Sequence, residues 1–277
     1  MQPKLLHVYR NTPLGRETLL QSIYFCKATG QKLIIYIPKH KQFMLYAGSE
    51  AIQVGLDSSY LADINTAEKH CRDMLEQFDL DADFFVPEEF TASTLPDVHI
   101  DYDYLCCPRI ISDLSTKISL GQLGAKVRQI LKHALFPVLI PSSVYKPWNS
   151  VSVFFGGSVS ARNALVLGRT LALRARVPFR IFTQDEGKGR TYYENIIRET
   201  VFPREEPEYE WKFFDSGRLK DNLFAVEHDS LVVLGTFGHI IRDALFGSKM
   251  ELIQSNLPNS LMLVGPKCCL VDASLDK

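Results

Sequence analysis

Short apolar runs rich in β-branched residues alternate with longer stretches of helical period along most of the chain. Leu5 to Tyr9 has the pattern of a buried strand. Asn11-Thr12-Pro13 is turn chemistry, with Thr12 placed to cap a helix and Pro13 at its first position. That helix runs from Leu14 to Thr29, with Leu19, Leu20, Ile23, Tyr24 and Cys26 near one side, and Gly30 stops it. Leu33 to Ile37 is a second strand. Gln42 to Leu56 holds two apolar runs around Ala47-Gly48-Ser49-Glu50, the pattern of a hairpin. A helix over Ala62 to Phe78 follows, then strands at Phe84 to Val86 and Tyr104 to Cys107. A helical stretch from Gly124 to His133 leads into an apolar run bounded by Pro137 and Pro141.

The order then starts again. Val151 to Phe155 reads as a strand, Gly156-Gly157-Ser158 as a turn, and Val159 to Arg176 as a helix. Strands at Phe179 to Phe182, Tyr209 to Phe214 and Leu231 to Leu234 follow, with helices at Tyr192 to Val201 and Asn222 to Glu227. A last helix and the Ser260 to Val264 strand close the pattern. A shift of 146 residues lays Leu5 on Val151, Leu19 on Leu165 and Leu33 on Phe179, which is an internal repeat. Near the end of each half Gly124-Ala125-Lys126 matches Gly247-Ser248-Lys249 at a shift of 123. The first half is therefore longer by about 23 residues, and the hairpin near 42–56 is a candidate for the difference.

Strands alternating with helices imply parallel sheets covered on both faces. The expected fold class is α/β, with two tandem Rossmann-like domains at 1–145 and 146–277, each a five-stranded parallel sheet. The boundary falls in the Pro-containing polar stretch from Ser142 to Ser150.

Composition narrows the function classes. Over 277 residues the chain is 46% hydrophobic and 23% charged, with a net charge of -1. Nothing in that balance favours nucleic acid or an anionic membrane. There is no apolar run of bilayer length, and the N-terminal stretch lacks a secretory pattern, so the expected location is the cytoplasm. Six cysteines make no disulfide framework. The adjacent pairs Cys106-Cys107 and Cys268-Cys269 have no metal-ligand spacing. His7, His133 and His239 read as structural, and 205–208 reads as a solvated acidic loop. No nucleophile elbow or paired catalytic carboxylates appear.

Candidate chemistry lies in two glycine turns. Gly235 and Gly238 follow the strand that ends at Leu234, and Gly247-Ser248 comes eight residues later. Glycine turns between a buried strand and a helix can present bare N–H groups to a phosphate. Gly156-Gly157-Ser158, at the head of the second-half helix, has the same character.

The Gly235-x2-Gly238-x8-Gly247-Ser248 pattern, between a buried strand and a final helix and strand, resembles the universal stress protein family, whose nucleotide-binding members carry G-x2-G-x9-G-[ST]. The resemblance spans nearly the whole chain, as two tandem copies with an adenine nucleotide alpha hydrolase-like fold. It implies two halves packed as a pseudo-dimer and ATP, with Mg, as the ligand. Leu234 and Gly235 would then lie by the adenine and ribose, with Gly238, Gly247 and Ser248 along the phosphates. Two departures stand out. The spacer is one residue short, a turn of roughly 100° on a helix. Gly156 stands where nucleotide-binding members have an Asp. The first half departs further, with Arg10 near that position and Pro108-Arg109-Ile110-Ile111 in place of G-x2-G, and reads as a degenerate copy.

Three functions fit this pattern. The first is a regulatory adenine-nucleotide binder in the stress response, with one site in the second half and at most slow ATP hydrolysis. The second is a nucleotide-free scaffold for an unidentified protein partner, with homodimer formation compatible with either. The third is an ATP pyrophosphatase-type enzyme using Gly156 to Ser160, whose S-G-G-x-D-S loop the FGGSVS stretch matches in part. The extra hairpin would cap a cleft or make an intermolecular contact.

Overall fold

A computed structural model of the chain describes residues 2–48, 50–90, 95–98, 101–111, 123–201, 209–236 and 248–269, the last segment as backbone alone over 248–251. The chain forms two compact units, Met1–Pro147 and Trp148–Lys277.

The first unit contains β1 (Lys4–Val8), α1 (Pro13–Thr29), β2 (Lys32–Tyr36), β3 (Gln42–Ala47), β4 (Glu50–Gly55), α2 (Ile64–Glu76), β5 (Ala82–Phe85), β6 (Asp97–Val98), β7 (Tyr104–Cys106), α3 (Ala125–His133) and β8 (Val138–Ile140). Its main sheet is parallel, in the order β5-β2-β1-β7-β8. Leu6 faces Ile34 on one side and Leu105 on the other. These side chains are all but excluded from solvent, as expected of strands covered on both faces.

β3 and β4 pair antiparallel as a hairpin, and β6 joins β3 in parallel. The two-residue β6 has no counterpart in the sequence expectation, because two residues carry no period. At the hairpin turn, Gly48 has φ +73, and a Cβ there would lie 2.7 Å from Leu135 Cγ. The close approach and the left-handed backbone both require glycine.

The second unit contains β9 (Ser150–Phe154), α4 (Val159–Ala175), β10 (Phe179–Gln184), α5 (Arg190–Val201), β11 (Glu210–Phe214), α6 (Leu219–Asn222), β12 (Ser230–Gly235), α7 (Ser248–Asn256) and β13 (Leu261–Val264). Its sheet is parallel, in the order β11-β10-β9-β12-β13. The helix expected over Asn222 to Glu227 is instead the single turn α6, starting at Leu219, followed by a 3₁₀ turn at Leu223–Ala225. α4 rests on β9 and β12 through Ala161, Ala164, Leu165, Gly168 and Leu171. A Cβ at Gly168 would lie 2.3 Å from Val153 Cγ2, so the small residue sets how closely helix and sheet approach. Full burial of Leu165 and Leu171 contributes about 1.5–3 kcal/mol each. Both tryptophans belong to this unit: Trp148 is buried, and Trp211 on β11 donates its ring N–H to Thr183 Oγ1 at 3.1 Å under the guanidinium of Arg190.

The repeat appears in the helix caps. Thr12 accepts from the N–H of Gly15 at 2.9 Å, and Ser158 from that of Ala161 at 3.2 Å. The two caps are 146 residues apart. Cys106 and Cys107 are buried, and burial raises both thiols, Cys106 to about 12. Cys268 is buried and Cys269 exposed. No described helix is long and apolar enough to cross a membrane.

Candidate functional site

In each unit the first strand lies beside the fourth strand of the main sheet, and the strand order runs outward from this pair in both directions. Open α/β sheets bind ligands beyond the carboxyl ends of the strands at such a point. In the second unit the pair is β9 and β12, with Phe154 opposite Leu234. The structure therefore brings Leu234, Gly235, Gly156, Gly157 and Ser158 to one end of the sheet. Gly238, Gly247 and His239 lie outside the described residues. Ser248 begins α7, and its side chain is likewise outside the description.

The glycines at this end differ in role. Gly156 is partly exposed and has an ordinary backbone, and among the described residues an added Cβ would meet no atom within 4 Å. Gly157 is buried at φ +82, and a Cβ there would sit 3.5 Å from the ring of Tyr192. Gly235 presses its bare face on the first turn of α4, where a Cβ would lie 2.6 Å from Ala161 N and Ser160 C. Its lack of a side chain is explained by helix packing. Leu234 is buried within the strand ladder. Ser158 uses its hydroxyl on the cap and on the Ser160 hydroxyl at 3.3 Å.

The turn opens the N-terminal end of α4, where backbone N–H groups and the helix dipole favour an anion. Among the described residues, no hydrogen bond uses the N–H of Gly156, Gly157 or Val159. No carboxylate follows β9 before α4. The nearest acid in the next strand loop is Asp185, whose Oδ1 accepts the N–H groups of Lys188 and Gly189 at 3.0 and 3.2 Å.

Phe155 packs on Tyr193 of α5, so the pleat turns Phe154 to the opposite face of the sheet. There Phe154, Phe182 and Phe214 form a stepped row of rings across three strands, with centroids 5.4 and 6.5 Å apart. Beside the row, Asn222 donates to Gln184 Oε1 at 2.6 Å. Sequence reading missed Tyr192, Gln184 and Asn222, because only strand order brings these distant positions together.

The corresponding end of the first unit is filled. Arg10 occupies the place of Gly156. Its Nε donates to Ser59 Oγ at 2.7 Å and its guanidinium reaches Asp57 Oδ2 at 3.2 Å. The guanidinium also lies 5.0 Å from the ring centre of Tyr60, which is 1% exposed. Burial is the largest single influence on the Asp57 carboxyl and pushes it up. The Ser59 hydroxyl and N–H, with the Arg10 charge, outweigh that and hold it below its ordinary range. Burial pushes the Tyr60 phenol well up. The 3₁₀ turn at Ser58–Tyr60 is pinned to the end of β1, where Asn11 N–H donates to Ser59 O at 2.9 Å. A Cβ on Gly15 would lie 1.9 Å from Arg10 O, so the Arg10 carbonyl closes directly on the first turn of α1.

No protein-family model and no curated protein matches the sequence. Solved structures do match. A universal stress protein from Archaeoglobus fulgidus DSM 4304 is 14% identical, with a TM-score of 0.61, 94% of this chain covered and 98% of that one. A chain assigned as a universal stress protein from Pseudomonas aeruginosa UCBPP-PA14 is 11% identical, with a TM-score of 0.54 and coverage of 96% and 94%. The cytoplasmic domain of a prokaryotic cation chloride cotransporter is also 11% identical, with a TM-score of 0.52 and coverage of 95% and 94%. At these identities the likeness speaks for the backbone arrangement, and one fold can serve several functions. The chain therefore has the universal stress protein fold, with two repeats in one polypeptide.

Proposed function

We propose that this protein is a cytoplasmic regulatory adenine-nucleotide binder of the universal stress type, with one site in the second unit. The observation that carries the reading is the contrast at equivalent positions. Among the described residues nothing fills the space at Gly156 at the head of α4, whereas Arg10 and Tyr60 fill the same place in the first unit. The phosphates would lie against the N–H groups of the Gly156–Ser158 turn, and Mg would come with them. A ligand here would be held and released with little turnover, since no described residue of the β9–α4 or β12 ends is a carboxylate able to activate water. Binding would report the cell's nucleotide level to a partner protein.

A second reading has its own support. The missing acid after β9 and the use of Gly235 in helix packing both suit a scaffold that works by contact alone. The cotransporter domain shows that this fold also occurs within a membrane transporter.

One experiment separates the two. Purified protein is denatured and its supernatant assayed for adenine nucleotide, and thermal unfolding is followed with and without ATP and Mg. The nucleotide reading expects a rise in midpoint that is lost in Gly156→Val. That variant keeps an ordinary backbone and adds methyl groups where no described residue stands. No released nucleotide and no shift would leave the scaffold.

A further inference from the structure

The segment that plugs the first unit's strand ends builds a different hollow beside them. After Ser58–Tyr60 the chain turns into α2, and between that helix and the β1–α1 loop lies a cavity of about 380 Å³. That is the size of a small-ligand site. It is lined by the ring of Tyr9, which is 2% exposed, and by Ala62 and Ala67. Its polar lining is Asn11, Asp63, Thr66 and His70, with the Tyr9 hydroxyl 3.2 Å from His70 Nδ1.

The chemistry of this lining is one-sided. Among the described residues no Lys or Arg contributes to it, and Asp63 is its one carboxylate. Asp63 caps α2. Its Oδ1 accepts the Thr66 N–H at 2.9 Å and the Thr66 hydroxyl at 2.8 Å, which hold the carboxyl below its ordinary range. Among the described residues nothing bonds to Asp63 Oδ2 or to the side-chain amide of Asn11. The hollow thus offers, at its exposed rim, a carboxylate whose full charge outweighs the partial positive charge at the N-terminus of α2, and neutral acceptors around a small aromatic and methyl surface. A phosphate would meet Asp63 as a like charge. An ammonium group on a short carbon chain would meet acceptors for its N–H donors and an apolar surface for its methylenes.

We propose that this cavity is a binding site for a small aliphatic ammonium compound, distinct in place and in charge preference from the second-unit turn. It stands whether or not the second unit binds nucleotide.

The test is isothermal titration of the full-length protein with putrescine. The expected result is one site per chain, with affinity reduced at least tenfold in Asp63→Asn. Asparagine caps helices as well as aspartate, so that variant keeps its fold while losing the charge. Ala62→Leu, which narrows the cavity, is expected to weaken binding too. Glu76→Gln at the far end of α2 and Gly156→Val in the other unit should leave it unchanged. Absence of binding, or equal affinity in Asp63→Asn, would overturn the proposal. So would equal losses in Asp63→Asn and Glu76→Gln, which would mark diffuse attraction to surface acid.

Discussion

A β-carbon added at Gly235 would press into the backbone of Ser160 and Ala161 at 2.6 Å, while one added at Gly156 would meet none of the described residues. Gly235→Ala is therefore expected to lower stability by about 1–3 kcal/mol, as overpacking does. Gly156→Ala should be neutral, or stabilising by about 0.5 kcal/mol through the unfolded chain. Urea denaturation of the two variants side by side checks both. In the sequence these glycines are alike, each following a buried strand. What separates them is which neighbour each one faces, and that is set by residues far away in the chain. His7 gives a second prediction at this scale. It is buried on β1 with Nδ1 2.9 Å from Ser22 Oγ, and burial lowers its pKa to about 3. The unfolded chain takes up a proton near pH 6.5, and the folded one does not until about pH 3. The stability His7 confers is therefore whole above about pH 6.5 and drains away as the pH falls toward 3. His7→Leu is expected to show a smaller drop in midpoint between about pH 7 and pH 4 than the parent protein.

Among the elements, the helix starts were the most readable feature. Thr12 with Pro13, and Ser158 after two glycines, carry local cap chemistry that needs no tertiary information. Thr12→Ala and Ser158→Ala should each cost about 1 kcal/mol in chemical denaturation. Paired apolar runs around a Gly-Ser turn marked the β3–β4 hairpin in the same local way. Sequence reading failed where elements are short or held from outside. β6 has two residues and exists because β3 offers it a free edge. α6 begins three residues before the expected helix because its apolar positions give no clear period. The closure of the first unit was half legible. Arg10 was visible as a departure from the family pattern, but its partners Asp57, Ser59 and Tyr60 lie about 50 residues on, and no spacing rule links them.

At the scale of the whole molecule, a repeated sequence carries two unlike strand-end crevices. The same cap geometry at residues 12 and 158 opens onto a filled crevice in one unit and an open turn in the other. ATP is expected to act on the second unit alone and putrescine on the first. Trp148 and Trp211 make the difference visible. Indole emission from this protein originates wholly in residues 148–277, and the first repeat contributes none of it. A titration that changes the tryptophan spectrum in parallel with ATP, yet leaves it still when the diamine is added, would assign each ligand to its own repeat without a label or a truncation.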